Sequence, residues 1–356
     1  MDVIEARSFA RAGFLGNPSD GYFGKTVSFT FTDFFVDLKL TESSRLRFVP
    51  GEVDDATFSS PEELVHDLRL YGYYGGIRML KAVSKLFFEY CQEHSIEIPK
   101  RNFTAEYKIN IPRLVGLSGS SAICSAMLKA LMKFYGVSIP EEVGPTLCLE
   151  AERDELGIAC GLQDRVVQMY NGIVYMDFKK SLVEETGHGR YERLYPSATG
   201  SLDPSTLGLY IAYDPARAEE SGKAHKKVKR LFEQKNTDIL SAMTEFADIA
   251  ERDRAALLAG DKALLNSLVN ANFDLRDRIF NVSEENRRMV MTARSAGASA
   301  KFAGSGGAIV GLCEDGAMFE SLKEKLGGIG CRVLRPKVAT KADETVEIAS
   351  TGWRNS

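Results

Sequence analysis

Apolar and polar residues alternate from Phe103 to Ile111, with Ala105, Tyr107 and Ile109 on the apolar side and Thr104, Glu106, Lys108 and Asn110 on the other. A period of two predicts a half-buried strand. Ile123, Ala126, Met127, Ala130, Leu131 and Phe134 then recur in steps of three and four, a helical stripe that ends where Gly136 suits a C-terminal cap. Between the two lies PRLVGLSGSS, in which Gly116, Ser118, Gly119, Ser120 and Ser121 leave the backbone free to bend. Strand, Gly/Ser loop and helix N-terminus form an order that attracts anions, because the first helical N–H groups are unpaired and the helix dipole is positive there. The loop lacks the Gly-Lys-Ser/Thr ending of a Walker A sequence. A plain serine-capped turn is the other reading of the same residues.

The same patterns organise the rest of the chain. Glu5–Leu15 and Thr26–Leu40 read as strands around a turn, Gly16–Lys25, that carries three glycines and a proline. Helices are expected over Pro61–Tyr71, from Gly76 to about Cys91 after the loop Tyr71-Gly-Tyr-Tyr-Gly-Gly, and over Pro140–Leu156. A short helix Val166–Tyr170 and an Asn171-Gly172 turn lead into the strand Ile173–Phe178. Tyr191–Ser205 has prolines, glycines and serines with little periodicity, so a domain boundary is placed there, dividing 1–202 from 203–356. Beyond it come a strand, Leu207–Tyr213, and helices over Pro215–Lys235, Thr237–Leu258, Asp261–Phe280 and Glu284–Ala296. Asn272 and Arg276 share one helical face. A second Gly-rich loop, Gly304, Ser305, Gly306 and Gly307, joins two short apolar strands; a helix, Met318–Leu326, and a strand, Cys331–Val338, follow.

Composition narrows the function classes. The 356 residues carry a net charge of −4 with acidic and basic residues interleaved, which argues against a nucleic-acid partner. KAHKKVKR, from Lys223, reads as a solvated helix face. No apolar run is long enough to span a bilayer. Six cysteines without a C-x-x-C pair, several in apolar segments, predict free thiols in a reducing, cytosolic compartment. Four scattered histidines lack metal-ligand spacing.

Several polar residues carry two readings. Asn17, Ser19 and Asp20 either close the 16–25 turn or face the hydroxyls of a polar ligand. Asp164 opens an apolar helix, as an N-cap worth about 1 kcal/mol or as a general base beside the anion loop. Glu152 is a solvated glutamate unless it faces that loop.

Three Gly-rich stretches, RAGFLGNPSDGYFGK, PRLVGLSGSSA and KFAGSGGA, occur early, middle and late. In that order they resemble the motifs of the GHMP kinases, across nearly the whole chain. GFLGNPSDGYFGKT, YGYYGGIR, NIPRLVGLSGSSAI, ELGI followed by GLQDRV, and NFDLR resemble the plant-type glucuronokinases. The resemblance implies a two-domain α/β (α+β) fold: a ribosomal-protein-S5-like N-terminal domain and a ferredoxin-like C-terminal domain, with the site between them. It implies ATP and Mg²⁺ as cofactors and a sugar acid as substrate. Pro112, Arg113, Val115, Gly116, Leu117, Ser118, Gly119, Ser120, Ser121 and Ala122 would wrap the ATP phosphates, and Gly304, Ser305, Gly306 and Gly307 would close over them. Ser121 matches the Mg²⁺-ligating serine, with Ser120 open as an alternative, and Glu152 matches the metal-ligating glutamate. Asp164 matches the catalytic aspartate, and Arg11 a basic residue near the transferred phosphate. Asn17, Ser19, Asp20, Tyr22 and Asn272 would read the sugar. Galactokinases carry Glu-His where this chain has Asn17-Pro18, which argues against galactose. Other GHMP sugar kinases, for galacturonate, arabinose or galactose, and a non-catalytic ligand sensor are the alternatives. Arg7, Lys25, Arg113 and Arg165 are the cations near the motifs that suit a substrate carboxylate.

Overall fold

The computed structural model describes residues 3–51, 54, 60–61, 75–195, 202–216, 222–344 and 346–348. The helix expected from Pro61 to Tyr71, beyond Pro61 itself, and the tyrosines of the loop after it lie outside the described residues.

Strand β1 (Val3–Leu15) pairs antiparallel with β2 (Lys25–Ser43), a 19-residue strand that is the spine of a seven-stranded sheet. The other edge of β2 is shared. Its first part, from Lys25, pairs with β5 (Ile173–Asp177), and its later part, from Val36, with β4 (Asn102–Ile109). Short β3 (Arg47–Phe48) runs parallel to β4, and β6 (Arg190–Tyr195) pairs with β5. Four strands make a second, antiparallel sheet in the order β10 (Arg332–Leu334), β7 (Leu209–Tyr213), β9 (Ala308–Leu312) and β8 (Lys301–Phe302).

Helices α1 (Gly76–Glu93), α2 (Gly119–Tyr135), α3 (Gly144–Glu150), α4 (Gln163–Tyr170) and α5 (Lys180–Thr186) accompany the first sheet. α6 (Gly222–Glu233), α7 (Thr237–Ala259), α8 (Lys262–Ile279), α9 (Glu284–Ser295) and α10 (Gly316–Gly327) follow. Their ends have local causes. The side chains of Asn236, Asp261, Ser283 and Asp315 accept the N-cap hydrogen bonds of α7 to α10, each worth about 1 kcal/mol. α2 stops at Gly136, which takes the left-handed backbone that closes a helix.

β1 alternates only as far as Ser8; from there every residue is buried. The reason is its place in the stack. α2 and α4 cover one face of the strand, while α7, α8 and β9 contact it from the C-terminal half. Arg11 is therefore sandwiched in the centre of the molecule, only 5 % exposed. Phe14, Phe29, Phe31, Phe87 and Phe103 fill the main core, at roughly 2–3 kcal/mol for each ring taken from water.

Three expectations change. Tyr191–Tyr195 is not irregular but belongs to β6 of the first sheet. The helix expected across Pro140–Leu156 is α3, continued by a π-type turn, Ala151–Glu155. The strand expected over Cys331–Val338 shortens to β10, and beyond it the chain crosses back. Val338 bridges Phe31, and β11 (Val346–Ile348) pairs with β1 from Ala6 to Ile4. A cut after residue 202 thus separates the two sheets apart from β11. Just before that strand, Glu344 forms an ion pair with Lys129 of α2 at 2.8 Å.

Candidate active site

The three Gly-rich stretches meet at Arg11. Its Nε and Nη2 donate to the two carboxylate oxygens of Asp164 at 2.6 and 2.9 Å, a bidentate fork. Its Nη1 donates to the carbonyl of Gly116 at 2.7 Å and to that of Ala303 at 3.0 Å. One guanidinium thereby joins the acid of the Gly-Leu-Gln-Asp stretch, the first Gly-rich loop before α2, and the 303–307 loop of the second sheet. The strand that carries Arg11 is tied in as well, Gly13 N–H donating to the carbonyl of Ala303 at 2.6 Å.

Asp164 is no helix cap. It lies in the first turn of α4, whose cap residue is Leu162, and its carboxylate is turned into the junction. Ser118 donates its hydroxyl to the Asp164 carboxylate at 2.7 Å. The hydroxyl that a serine-capped turn would spend on α2 goes to the acid instead, and Ser118 takes a left-handed backbone, φ 63°, to reach it. Burial would raise the Asp164 carboxyl, but the Arg11 and Arg165 charges, with the hydrogen bonds from Arg11 and Ser118, hold it at about 2. It stays an anion at any working pH.

Glu152 is not a solvated glutamate. It is fully buried in the π-type turn, its Oε2 accepting Nε of Arg165 at 2.8 Å as well as Nη2 of the same guanidinium, while its Oε1 is buried without a hydrogen-bond partner. An orphaned buried carboxylate oxygen fits a hard cation, which Mg²⁺ accepts from one or two carboxylates with phosphate and water completing its shell. Of the two serines, Ser121 is fully buried and turns its hydroxyl back to the carbonyl of Ser118 at 3.3 Å. Ser120, in the same first turn of α2, is half-buried, and its hydroxyl makes no hydrogen bond among the described residues.

The residues expected to read a sugar divide. Asn17, Ser19 and Asn272 are buried, and each makes side-chain hydrogen bonds that tie down the loop. Ser19 Oγ accepts the N–H of Lys25 and donates to its carbonyl, closing the 16–25 turn. Asn17 Oδ1 accepts Lys301 Nζ at 2.7 Å. Asn272 accepts Gly16 N–H at 2.8 Å and donates to the Asn17 carbonyl at 3.2 Å. These hydrogen bonds shape the loop. Asp20 and Tyr22 remain half-buried, Tyr22 packed edge-on to Phe232 of α6. Burial pushes the Asp20 carboxyl up to about 7, with the Asp164 charge adding to the rise and that of Arg11 opposing it. Of the cations suited to a substrate carboxylate, Arg7 is held by Asp37, Lys25 by Glu251 and Arg165 by Glu152; Arg113 is exposed on the loop.

Two residues escaped the sequence reading. Lys301 is 1 % exposed, and its ammonium meets three acceptors: the carbonyls of Gly13 and Phe302 and the side chain of Asn17. The signal was present as a lone lysine inside an apolar strand. Gln168 of α4 donates its amide to the carbonyls of Phe9 and Ser118 at 2.9 and 3.0 Å, pinning the loop that carries Ser118. Nothing in its helical surroundings marks it.

The loops touch so closely that a side chain has no room between them. A Cβ at Gly304 would fall inside contact distance of the Gly116 carbonyl oxygen, with Arg11 Nη1 at 3.1 Å. Gly304→Ala is therefore expected to part the loops and lower activity by at least about tenfold, with a melting temperature several degrees below the parent's. Paired activity and thermal-melt measurements check it.

Residues 78–172 match the GHMP kinases N terminal domain, and residues 253–329 match the GHMP kinases C terminal domain. The chain is 44% identical over 344 residues to Glucuronokinase 1 of Arabidopsis thaliana, covering 95% of this chain and 92% of that protein. The chain belongs to the GHMP kinase family. A second Arabidopsis thaliana relative, Probable glucuronokinase 2, is 47% identical over 330 residues, 91% of this chain and 88% of that one. In fold, the chain matches Streptococcus pneumoniae phosphomevalonate kinase in complex with phosphomevalonate and AMPPNP. The TM-score is 0.73 at 14% identity, over 94% of this chain and 99% of that one. This GHMP kinase is accordingly a two-domain phosphotransferase with an alcohol group as acceptor, a sugar kinase. Among its described residues no helix is long and apolar enough to cross a membrane.

Proposed function

We propose that this GHMP kinase transfers the γ-phosphoryl group of ATP to the anomeric hydroxyl of D-glucuronate, giving D-glucuronate 1-phosphate. The observation that carries this reading is the Arg11 fork, which sets an ionised carboxylate at the meeting point of two anion-attracting loops. The relatives' names supply the sugar.

Phosphoryl transfer is mostly positioning and charge stabilisation. The Gly116–Ser121 loop and the N-terminus of α2 hold the phosphates, and the 304–307 loop closes on them. Glu152 and Ser120, or Ser121 after a rotation of its hydroxyl, would hold Mg²⁺; when bound, the ion supplies positive charge against the phosphates. Asp164 accepts a hydrogen bond from the sugar O1–H and takes the proton. A carboxylate held near pKa 2 is a weak base toward a free alcohol, but the hydroxyl becomes strongly acidic once its oxygen bonds to phosphorus. Late proton transfer therefore suits an acid that Arg11 and Ser118 keep ionised and aimed. Arg11 also places positive charge beside the moving phosphoryl.

The test is to incubate the purified protein with ATP-Mg and free glucuronate, galacturonate, arabinose and galactose, and to identify the phosphorylated carbon. Glucuronate 1-phosphate as the main product is expected; a neutral sugar reacting while glucuronate is ignored rejects the assignment. Asp20 adds a pH signature. It is neutral below about pH 7 and an anion above, and an anion within reach of Asp164 and Arg11 repels an anionic sugar brought to them. The KM for glucuronate is expected to rise severalfold from pH 6 to 8, and Asp20→Asn to flatten that rise. A wild-type KM without a step near neutrality removes Asp20 from substrate binding.

A further inference from the structure

Helix α8 grips the 16–25 turn and the 304–307 loop from one face. Asn272 holds Gly16 and Asn17, and Arg276, one turn on, holds the other loop. Arg276 is 4 % exposed and lies 5.1 Å from the ring centre of Phe302 and 5.2 Å from that of Phe280. Its Nη1 donates to the carbonyl of Gly304 at 3.0 Å and its Nη2 to the carbonyl of Ser305 at 3.2 Å. Two successive peptide units thus turn their oxygens to one guanidinium. A trans peptide points its N–H opposite to its C=O, and the only cis bond described is Asn17-Pro18. The N–H groups of Ser305 and Gly306 belong to those same two units, so both point away from Arg276.

Neither N–H makes a hydrogen bond among the described residues, although Gly306 is buried; the next one along, Gly307 N–H, is taken by Asn286 Oδ1 at 3.1 Å. Buried N–H groups without partners are rare in folded proteins, and successive ones form a concavity that suits an anion. The Ser305 nitrogen lies against Gly116, 3.3 Å from where its Cβ would stand. Gly304, one residue earlier, lies beside Arg11. The pair therefore lies beside Gly116 and Arg11, where the phosphate loop meets the Asp164 fork.

Resting on the kinase reading, we infer that Arg276 is a positioning residue: it turns the Gly304–Gly306 peptides so that the N–H groups of Ser305 and Gly306 bind the phosphoryl group in transfer. The guanidinium touches neither nucleotide nor sugar and works through the loop.

The test compares the wild type with Arg276→Lys, which keeps the charge but loses the flat fork, by calorimetric titration with ATP-Mg and with ADP-Mg. The ATP dissociation constant is expected to rise at least about tenfold, the scale of a lost charge-assisted hydrogen bond, while that for ADP stays within about twofold. Ser305→Pro removes one of the two N–H groups with Arg276 in place and is expected to lose the same preference for ATP. Equal weakening of ATP and ADP, or unchanged ATP affinity, in either soluble variant overturns the inference. A wild-type protein that binds neither nucleotide sinks the kinase reading itself, a result distinct from the other two.

Discussion

Asp164→Asn is expected to lower turnover on the order of 10³-fold or more while ATP still binds, since the acid that takes the proton and answers Arg11 becomes a neutral amide. The amide also turns a donor toward a guanidinium that has only donors, so one prong of the fork at 2.6 and 2.9 Å is lost. Steady-state rates and ATP titration on the same preparation check both halves; retained turnover removes Asp164 from the reaction. A pH effect on stability follows. The carboxyl ordinarily titrates at 3.8 and is held at about 2 in the folded protein. A depressed carboxyl contributes its stability in full above the unfolded value and loses it as pH falls through the folded one. Asp164 should thus supply roughly 2 kcal/mol at neutral pH, fading between about pH 4 and pH 2. Urea unfolding of wild type and Asp164→Asn across that range should converge at the acid end.

Arg11→Met is expected to cost more stability than any other single change at the site. It strands an ionised carboxylate in the interior and leaves the carbonyls of Gly116 and Ala303 without their donor. Breaking a buried pair from one side typically costs about 3–5 kcal/mol. Activity should fall with it, because the same guanidinium holds the two phosphate loops and the acid in register. Much of the cost belongs to the orphaned charge, so the double variant Arg11→Met with Asp164→Asn should be more stable than Arg11→Met alone. Chemical denaturation of the four proteins in that cycle measures the coupling. A double variant that merely adds the two losses would mean that the pair does not act as one unit.

The elements with strong local patterns were legible in the chain. The alternation at Phe103–Ile111 is β4, Asn102–Ile109, and the stripe ending at Gly136 is α2. β6 was not legible: its RYERLY sequence pairs with β5 from a neighbourhood rich in turn residues, and only the partner strand selects it. β11 has just three residues, too few for a period, and exists because β1 offers an open edge. The structure brings Arg11, Asp164 and the 116–121 and 304–307 loops named from the motifs together, and the helical face shared by Asn272 and Arg276 meets the 16–25 turn and the 304–307 loop.

The direction in which each polar side chain points was a different matter. Asn17, Ser19 and Asn272 could close a turn or face a ligand, and their hydrogen bonds tie down the 16–25 turn; Glu152 could be solvated or face the loop, and it is fully buried; Ser118, one of several serines in the Gly/Ser loop, gives its hydroxyl to Asp164. Local pattern sets where the chain bends and which face is apolar, because those follow from steric limits and from water's rejection of apolar surface over a few residues. Whether a buried hydroxyl, amide or carboxylate answers the backbone, another charge or a ligand is decided by what the remote parts of the chain bring against it. Arg11 and Asp164 are 153 residues apart, and Arg11 and the Ala303 carbonyl 292. Only the packing of the two halves around β1 makes them neighbours.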